Sequence, residues 1–324
     1  MISCESIVTL SSSVIVTNTV VSYLNDRVTL TKTPQPGFIW NFAIPPAALD
    51  ILELDPDNQT TAAVARLLAT SLLPQLSDPL AVDKVSGPER VTRLFCEAYT
   101  SLLLEERGIR AKAVPNTDFS LRVSYATRDT LPPLSATAPT YDIAPATEAD
   151  LDGAAQLYIA FQLEAIWHAV VTKEQALSAL SGTVEPGFLW VCKVDGVVVG
   201  LTLLGRPTGR TISIRNVYVT PEHRRKGIAD AMVQTVMRYY LGVPAPGVPE
   251  GPPAQGWKEE INLNMSASDR RAERVYKRAG FLLPDWEGDV PTGGVDPVTG
   301  RRGWYISTPI AVEVEAAAST SETQ

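Results

Sequence analysis

The chain has 324 residues, 45% of them hydrophobic, so it can bury a sizeable core and is long enough for one large or two modest domains. Its net charge of −8 disfavours nucleic acid as a partner and mildly favours a cationic or amine substrate. No run of about 18 apolar residues occurs, and the first residues lack the basic region of a signal peptide, so we expect no membrane partner and no secretion.

The cysteines are widely spaced and odd in number: Cys4, Cys96 and Cys192. This pattern argues against a disulfide framework and against a zinc site. It suits a reducing compartment. We therefore expect a cytoplasmic protein that needs no metal ion.

The first 140 residues carry no motif that indicates a particular chemistry. Their start, MISCESIVTLSSSVIVTNTVV, is typical of strands. A helix is predicted from about residue 88 to 107, closed by Gly108, because apolar residues recur on one helical face. The residues of that face are Val91, Leu94, Phe95, Ala98 and Leu102. A later strand is indicated by the alternation of Phe119, Leu121, Val123 and Tyr125.

Two segments of the chain share a pattern. Residues 51–73 are interpreted as strand, turn and helix, much like residues 141–161, which indicates an internal half-repeat. Residues 130–140 between them are rich in proline and form the best domain boundary.

The second half is predicted to begin with a helix over residues 147–169, whose start, TEAD, is a capping signal. Asp195 and Gly196 then predict a tight hairpin between two apolar runs. The strands predicted in this region are 188–193, 197–204 and 211–219.

A basic turn joins the third of these strands to an amphipathic helix. The helix is indicated by Ala229, Met232, Val233, Val236, Met237 and Tyr240, which recur at helical spacing. Its free N–H groups and positive dipole end can bind an anion without a metal. Gly227 can adopt positive φ, and Arg224, Arg225 and Lys226 add donors and charge. The turn therefore predicts a pyrophosphate site; a solvated basic turn is the alternative for this motif taken alone.

Residues 242–256, GVPAPGVPEGPPAQG, contain too many prolines and glycines for regular structure. We interpret them either as a lid near a second substrate or as a surface insertion. Loops of this length tolerate insertions at small entropic cost.

The chain then returns to regular elements. Residues 261–265 alternate as a strand, and Asp269 is a plausible N-cap of a short helix that ends at Gly280. Phe281 is predicted to open the next strand. The tail from residue 313 is expected to be disordered.

Two blocks of residues resemble the GNAT superfamily of acetyl-CoA-dependent N-acyltransferases. The turn of that family has Arg or Gln, two residues, Gly, one residue, then Gly or Ala, which matches Arg224, Gly227 and Ala229. The second block consists of Ala272, Tyr276, Lys277, Gly280 and Phe281. The resemblance covers roughly residues 141–310, and the order of the elements agrees with it.

The resemblance implies an α/β protein with the GNAT fold, in which a mixed, mostly antiparallel central sheet is flanked by helices. It implies a catalytic domain over residues 141–312, preceded by an α/β extension over residues 1–140 and followed by a tail over residues 313–324. The extension is possibly a degenerate GNAT-like half. It lacks a basic glycine turn, so we expect it to pack on the catalytic domain and shape the amine pocket rather than bind CoA.

The resemblance also implies how acetyl-CoA, the co-substrate, binds. Its pantetheine would pair with Val217, Tyr218 and Val219, where the family's strand splays from its neighbour. Its diphosphate would lie on the backbone amides of Arg224, Arg225, Lys226, Gly227, Ile228 and Ala229. Asp269 occupies a cofactor-binding position where the family often has Asn, and an ionised carboxylate cannot donate the hydrogen bond of that amide.

Tyr276 matches the family's general acid, which protonates the departing CoA thiolate. A half-buried core tyrosine is the alternative, since Tyr276 lies at helical spacing with apolar neighbours. No carboxylate lies on the strand before the turn, where some members place a Glu; Ser213 is near that position. The general base that deprotonates the amine therefore lies elsewhere, is a chain of water molecules, or is unnecessary because the amine has a low pKa.

Four other residues are considered as the base. Glu164 and His168 are four apart and expected on one helix face, although His168 is more typical of a packed or surface histidine. Glu222 and His223 are interpreted as solvated.

The resulting hypothesis is an N-acetyltransferase acting on a small-molecule, peptide or protein amine, as a monomer or homodimer. The alternative is a non-catalytic acyl-CoA-binding or scaffold protein. A nucleotide hydrolase is disfavoured because the turn lacks the Lys followed by Ser or Thr of a phosphate-binding loop.

Overall fold

A computed structural model describes residues 6–10, 17–23, 26–32, 39–44, 46–53, 55–116, 119–133, 141–165, 168–287 and 290–315. The chain divides into two compact units. The first contains residues 1–122, 266–268 and 305–324, and the second contains residues 123–265 and 269–304. The domain bounds expected from the sequence remain a prediction. Cys4 and most of the Pro-rich boundary lie outside the described residues.

The helices are α1 (Pro46–Glu53), α2 (Gln59–Leu72), α3 (Glu89–Arg107), α4 (Leu151–Glu164), α5 (Lys173–Ser181), α6 (Ile228–Tyr240) and α7 (Arg270–Ala279). The strands are β1 (Ser6–Leu10), β2 (Thr17–Tyr23), β3 (Asp26–Lys32), β4 (Trp40–Ala43), β5 (Lys84–Ser86), β6 (Ala111–Pro115), β7 (Leu121–Thr127), β8 (Asp142–Pro145), β9 (Leu189–Val194), β10 (Val197–Gly205), β11 (Thr211–Val219), β12 (Glu260–Ser266), β13 (Asp285–Glu287), β14 (Val290–Thr292), β15 (Trp304–Ser307) and β16 (Ile310–Val314).

The first unit has a sheet of order β1-β2-β3-β4-β5-β16-β6 and three helices. The predicted helix α3 is confirmed, including its end at Gly108, which adopts a φ of 67°. The interpretation of residues 51–73 as strand, turn and helix is wrong at its start, since Ile51 to Glu53 continue α1. Pro46 occupies the first position of this helix, and Leu49 and Leu52 are buried on one of its faces.

The predicted strand at residues 119–125 is observed as β7, without Phe119. Its burial is inverted relative to the sequence pattern. Arg122, Ser124 and Ala126 are buried, whereas the alternating apolar residues are half-buried. Ser124 is satisfied there because its hydroxyl donates to the Leu282 carbonyl at 2.8 Å.

The second unit is a mixed α/β fold, as predicted. Its sheet follows the order β8-β9-β10-β11-β12-β7, with antiparallel pairs from β8 to β11 and a parallel pair between β11 and β12. One apolar cluster joins the sheet to α6 and α7, and a second joins it to α4 and α5. The hairpin turn is confirmed, since Asp195 and Gly196 have φ values of 50° and 77°, the left-handed pair that a type I′ turn requires.

A β-bulge at Arg215 changes the faces of β11. Leu204 pairs with Ile214 and Leu203 with Asn216, which leaves Arg215 as the extra residue. Before the bulge, Ile212 and Ile214 belong to the α6 and α7 cluster; after it, Val217 and Val219 do. Because of the bulge, the positions of β11 that face α6 and α7 change from even to odd residue numbers.

Three predicted boundaries are corrected by the structure. The helix predicted to reach residue 169 ends at Glu164, and its capping box, Thr147 with Asp150, closes a short 3-10 turn that precedes α4. Phe281 does not open a strand; residues 281–284 lie outside regular structure before β13. The predicted tail begins too early, since Glu313 and Val314 belong to β16, and residues 316–324 lie outside the described residues.

Candidate active site

The N-terminus of α6 is open. Its N-cap residue is Gly227, which has no side chain to cap the helix. Within the described part of the chain, the backbone N–H groups of residues 225–230 donate to no acceptor, and the first bond runs from Ala231 to the Gly227 carbonyl at 3.0 Å. Six successive amides are thus available at the positive end of the helix dipole, which is the arrangement that binds an anion.

Two other helices of the second unit are capped at this end. Thr172 caps α5 by accepting from the Gln175 amide, and Asp269 caps α7. The Thr147 and Asp150 box closes the short turn before α4, but no side chain caps α4 itself. The open end of α6 therefore differs from the ends of α5 and α7, where side-chain oxygens accept the first amides.

The turn before α6 bends through two left-handed residues. Arg225 has a φ of 62° and Gly227 a φ of 85°. No atom lies within 4 Å of the position that a Cβ of Gly227 would take, so glycine is required there by its backbone angle and not by crowding. Left-handed residues between right-handed ones turn successive N–H groups toward one concave surface.

The side chain of Arg224 holds the turn against the sheet. Its Nε donates to the Val219 carbonyl at 2.9 Å, and its Nη2 donates to Glu164 Oε2 at 2.7 Å. The guanidinium also lies 5.2 Å from the centre of the Tyr218 ring. Because Arg224 is engaged in these contacts, we assign its side chain to positioning the turn. The exposed side chains of Arg225 and Lys226 remain available to an anion.

Glu164 completes this cluster from the end of α4. It accepts the Tyr218 hydroxyl at 2.6 Å in addition to Arg224. Burial acts to raise the pKa of Glu164, but the two hydrogen bonds and the charge of Arg224 outweigh burial and lower it. Burial and the bond to Glu164 raise the pKa of Tyr218 to about 12. The sequence offered both residues as separate candidates and gave no signal that they meet.

Asp230 lies in the first turn of α6, where a carboxylate interacts favourably with the positive end of the helix dipole. It is neutralised by Arg278, whose Nε and Nη2 donate to the two carboxylate oxygens at 2.7 and 3.0 Å. The hydrogen bond that Arg278 donates to Asp230 raises the pKa of Arg278. This pair also links the start of α6 to the end of α7, and the sequence analysis missed it.

Strands β11 and β12 part beside the turn. They pair from Thr211 with Glu260 to Ile214 with Leu263, and no pairing joins them beyond that point among the described residues. The bulge at Arg215 lies where the pairing ends. Residues 217–219 therefore keep β10 as a neighbour on one side only, and the other side can pair with an extended ligand.

Tyr276 lies on α7 in the same apolar cluster as the parted strands. Its ring packs edge-on against Phe281, with 5.7 Å between the ring centres. Its hydroxyl has no hydrogen-bond partner among the described residues. Burial, and secondarily the charge of Asp269, raises the pKa of Tyr276, so the hydroxyl stays protonated at neutral pH.

The carboxylate of Asp269 is engaged as a helix cap. Its Oδ1 accepts the amides of Arg271 and Ala272 at 2.9 and 3.0 Å. The predicted N-cap is confirmed, and so is the end of α7 at Gly280, which has a φ of 108°. A Cβ on Gly280 would lie 2.5 Å from the Thr130 carbonyl oxygen, so this glycine is required for space as well as for conformation.

The candidate bases are dispersed. His168 lies beyond the end of α4, so it does not share a helical face with Glu164, and its Nδ1 is 2.9 Å from the Leu163 carbonyl oxygen. His223 contacts Thr220 Oγ1 through Nδ1 at 2.9 Å, and Glu222 is exposed. Ser213 donates to Asn262 across β11 and β12. None of these groups lies in a position that indicates a base.

The comparisons with known proteins agree with this geometry. Residues 185–282 match the family model described as acetyltransferase (GNAT) domain. The chain therefore contains a GNAT acetyltransferase domain, and the sequence resemblance is confirmed. The matched segment runs from just before β9 to just after α7, so it includes the turn and Tyr276. No curated protein matches the chain.

Several solved structures are similar to the chain at low identity. A functionally unknown conserved protein from Staphylococcus epidermidis is 15% identical, with 98% of this chain and 96% of that chain covered and a TM-score of 0.44. A GCN5-related N-acetyltransferase from Sphaerobacter thermophilus is 17% identical (89% and 76% covered, TM-score 0.44). The protein yncA from Salmonella typhimurium, solved with its cofactor acetyl-CoA, is 20% identical (57% and 100% covered, TM-score 0.36). Because the identities to these structures are low, the assignment to the GNAT family rests on the match to the family model at residues 185–282.

Two other features are absent from the described residues. No helix in them has both the length and the apolar content to cross a membrane. They also contain no group of three or more His, Cys, Asp or Glu side chains arranged to hold a metal ion. Cys96 and Cys192 are buried free thiols.

Proposed function

We propose that this protein transfers an acetyl group from acetyl-CoA to a primary amine by direct attack in a ternary complex. The observation that carries the proposal is the open N-terminus of α6 beside the parted strands β11 and β12. One feature binds an anion and the other binds an extended chain, and coenzyme A consists of a diphosphate followed by an extended pantetheine.

The diphosphate is assigned to the backbone amides of residues 224–229. The amide of Arg224 already donates to the Pro221 carbonyl at 3.3 Å, so the stronger contacts come from Arg225 onward. Backbone amides bind phosphate without a metal because the helix dipole supplies part of the opposing charge. Arg225 and Lys226 add charge from exposed positions, which favours rapid binding at low salt.

Pantetheine is assigned to the free side of Val217, Tyr218 and Val219. The carbonyl of Val219 already accepts from Arg224, so we expect the main-chain bonds to pantetheine to come from Val217 and Tyr218. This places the thioester toward the bulge at Arg215. Both substrates are then held together, and orientation supplies much of the rate.

In the reaction, the nitrogen of the amine forms a bond to the thioester carbonyl carbon, and the carbon–sulfur bond breaks as the tetrahedral intermediate collapses. The attacking nitrogen loses a proton and the CoA thiolate gains one. Tyr276 is assigned to donate the proton to sulfur, since it is half-buried and its protonated hydroxyl has no partner among the described residues.

The amine must be neutral when it attacks. Glu164 is a poor acceptor of its proton, because Tyr218 and Arg224 hold the pKa of that carboxyl down. We therefore propose an amine of low pKa or deprotonation through water. Residues 141–312 would form the catalytic domain in this proposal, and residues 1–140 would be an N-terminal α/β extension.

Two measurements on the full chain test the proposal. Titration calorimetry measures CoA binding, and a thiol reagent measures CoA release from acetyl-CoA in the presence of spermidine, a lysine-containing peptide or an aminoglycoside. Binding with turnover supports the proposal. Tight binding without turnover on a broad amine panel would favour a non-catalytic acyl-CoA-binding protein, and absence of CoA binding would contradict both.

A further inference from the structure

A cavity of about 530 Å³ lies at the C-terminal end of α6, and we call it the Trp257 cavity. Its walls come from the end of α6, from the Pro/Gly-rich segment and from Trp257. Helix α6 has 13 residues, so the cavity is about 20 Å along the helix from the open N-terminus. It is therefore separate from the site assigned to the diphosphate.

The Pro/Gly-rich segment is an ordered wall of this cavity. It contains no helix or strand, as predicted, but turns fold it back on α6. The Val243 amide donates to the Arg238 carbonyl at 2.8 Å, and the Val248 amide donates to the Ala245 carbonyl at 3.1 Å. At its far end, the Lys258 Nζ donates to the Gln255 carbonyl at 2.7 Å. The segment therefore lies at the C-terminal end of α6, away from the turn before this helix.

Arg238 is a buried cation in the cavity wall. The residue is 5% exposed, and among the described residues no carboxylate pairs with it. One nitrogen, Nη2, donates to the Pro132 carbonyl, while the buried Nε has no partner in the described ranges of the chain. Burying a charge without a counter-charge is costly, and the C-terminal dipole of α6 offsets only part of that cost.

The rest of the cavity suits an apolar body. Trp257 is 57% exposed although it is large and aromatic, and Tyr239 is half-buried beside it. The other lining side chains are mainly Val, Pro and Ala, and Glu250, which is exposed, is the one acidic side chain among the lining residues. A pocket of this volume with apolar walls and one placed charge is typical of a small-molecule site.

We propose that the Trp257 cavity binds a small organic anion, whose carboxylate or phosphate offsets the charge of Arg238 and whose flat apolar part packs on Trp257. Arg128 adds positive charge nearby, since its Nε and Nη2 donate to the Leu241 carbonyl at 3.2 and 2.8 Å. Its Nη2 also lies 3.2 Å from the position that a Cβ of Gly242 would take, and Gly242 lines the cavity.

The test compares benzoate with benzamide, which has the same shape and no charge. Titration calorimetry on the full chain is done with saturating CoA, so that the diphosphate site is occupied. We expect benzoate to bind at least tenfold more tightly than benzamide, and the Arg238→Met variant to abolish this difference. Phenyl phosphate then shows which anionic head group is preferred.

Two further variants make the result specific. Trp257→Ala changes an exposed side chain and leaves the buried guanidinium in place; we expect it to weaken both ligands. Arg210→Met removes an exposed arginine that pairs with Glu259, and we expect it to leave benzoate binding unchanged. The proposal is overturned if benzoate and benzamide bind the wild-type protein equally, or if neither compound binds at a concentration of 20 mM. It is also overturned if the Arg238→Met variant still binds benzoate more tightly than benzamide. Each of these outcomes leaves the assignment of CoA binding untouched.

Discussion

The N-terminal ends of α6 and α7 have opposite chemistry. At α7, Asp269 occupies two amides with its own carboxylate. At α6, Gly227 occupies none, and the amides of six residues are left without an acceptor among the described residues. A capped helix end is stable by itself, whereas an uncapped one gains its missing hydrogen bonds when an anion arrives.

The comparison assigns different tasks to the two helices. Helix α6 contributes backbone groups and a dipole, so its site depends on conformation more than on side-chain identity. Helix α7 contributes the side chain of Tyr276 and is held to α6 by Arg278 and Asp230. Five variants test this division of tasks.

The largest effect is expected from Tyr276→Phe. Loss of the hydroxyl removes the proposed proton donor, so kcat for CoA release should fall by about 10²- to 10⁴-fold with CoA affinity unchanged. Steady-state kinetics with the amine that supports turnover measures this. Tyr158→Phe, which alters a tyrosine of α4, is the matched control. An undiminished rate in Tyr276→Phe would remove Tyr276 from the mechanism.

Gly227→Val is expected to weaken CoA binding by about 10- to 100-fold. A β-branched residue at a φ of 85° is strained by roughly 1–3 kcal/mol, so the turn must move its amides away from the diphosphate. Calorimetric titration with CoA measures the change. Gly182→Val is the control, because Gly182 also has open space around its Cβ position but a φ of −71°. Equal effects in both variants would contradict the conformational argument.

Reversal of the two exposed charges, in the double variant Arg225→Glu with Lys226→Glu, should lower CoA affinity by about tenfold at low ionic strength. The difference from wild type should shrink as salt rises, since the Debye length falls to about 10 Å at 0.1 M. The same charge change at Arg110 and Lys112 of the first unit is the control. If CoA affinity were unchanged by the charge reversal, the diphosphate of CoA would bind elsewhere.

Asp269→Ala addresses the other helix. Loss of the cap should lower the free energy of unfolding by about 1 kcal/mol, because two amides of α7 lose their acceptor. CoA affinity should change by less than about twofold, since the Asp269 carboxylate accepts amides of its own helix. Denaturant unfolding and calorimetry measure the two quantities. A large loss of CoA affinity with unchanged stability would instead make Asp269 a cofactor contact.

Glu164→Gln should have the smallest effect. The folded-state pKa of Glu164 is lowered, so its pairing stabilises the protein above the unfolded-state pKa and is lost as pH falls through the folded-state value. The side chains of Glu164 and Arg224 are 48% and 42% exposed, so solvent limits the gain to about 0.5 kcal/mol. Denaturant unfolding at pH 7 should show this difference from wild type, which should shrink as the pH is lowered below the unfolded-state pKa of glutamate. Glu222→Gln, at an exposed carboxylate before the same turn, is the control.

Much of the second unit was predictable because its elements carry strong local signals. The bounds of β11, the hairpin at Asp195, the cap at Asp269 and the end of α7 at Gly280 all follow from alternation, turn residues or capping residues. The errors occurred where a local pattern continued past a tertiary boundary. Helix α4 ends at Glu164, where the side chain turns to Tyr218 and Arg224, and no local stop signal marks that point.

The sequence by itself determined that a glycine with a left-handed backbone precedes an amphipathic helix in a basic turn, and that Asp269 begins the next helix, because φ preference and capping are properties of a few neighbouring residues. Only the tertiary structure decided that Arg224 holds the turn to Glu164, that Arg278 neutralises Asp230, and that Arg238 is buried with no counter-charge in the part of the chain that the structure describes. These contacts join residues distant in sequence, and burial and pairing of a charge depend on what the fold places around it.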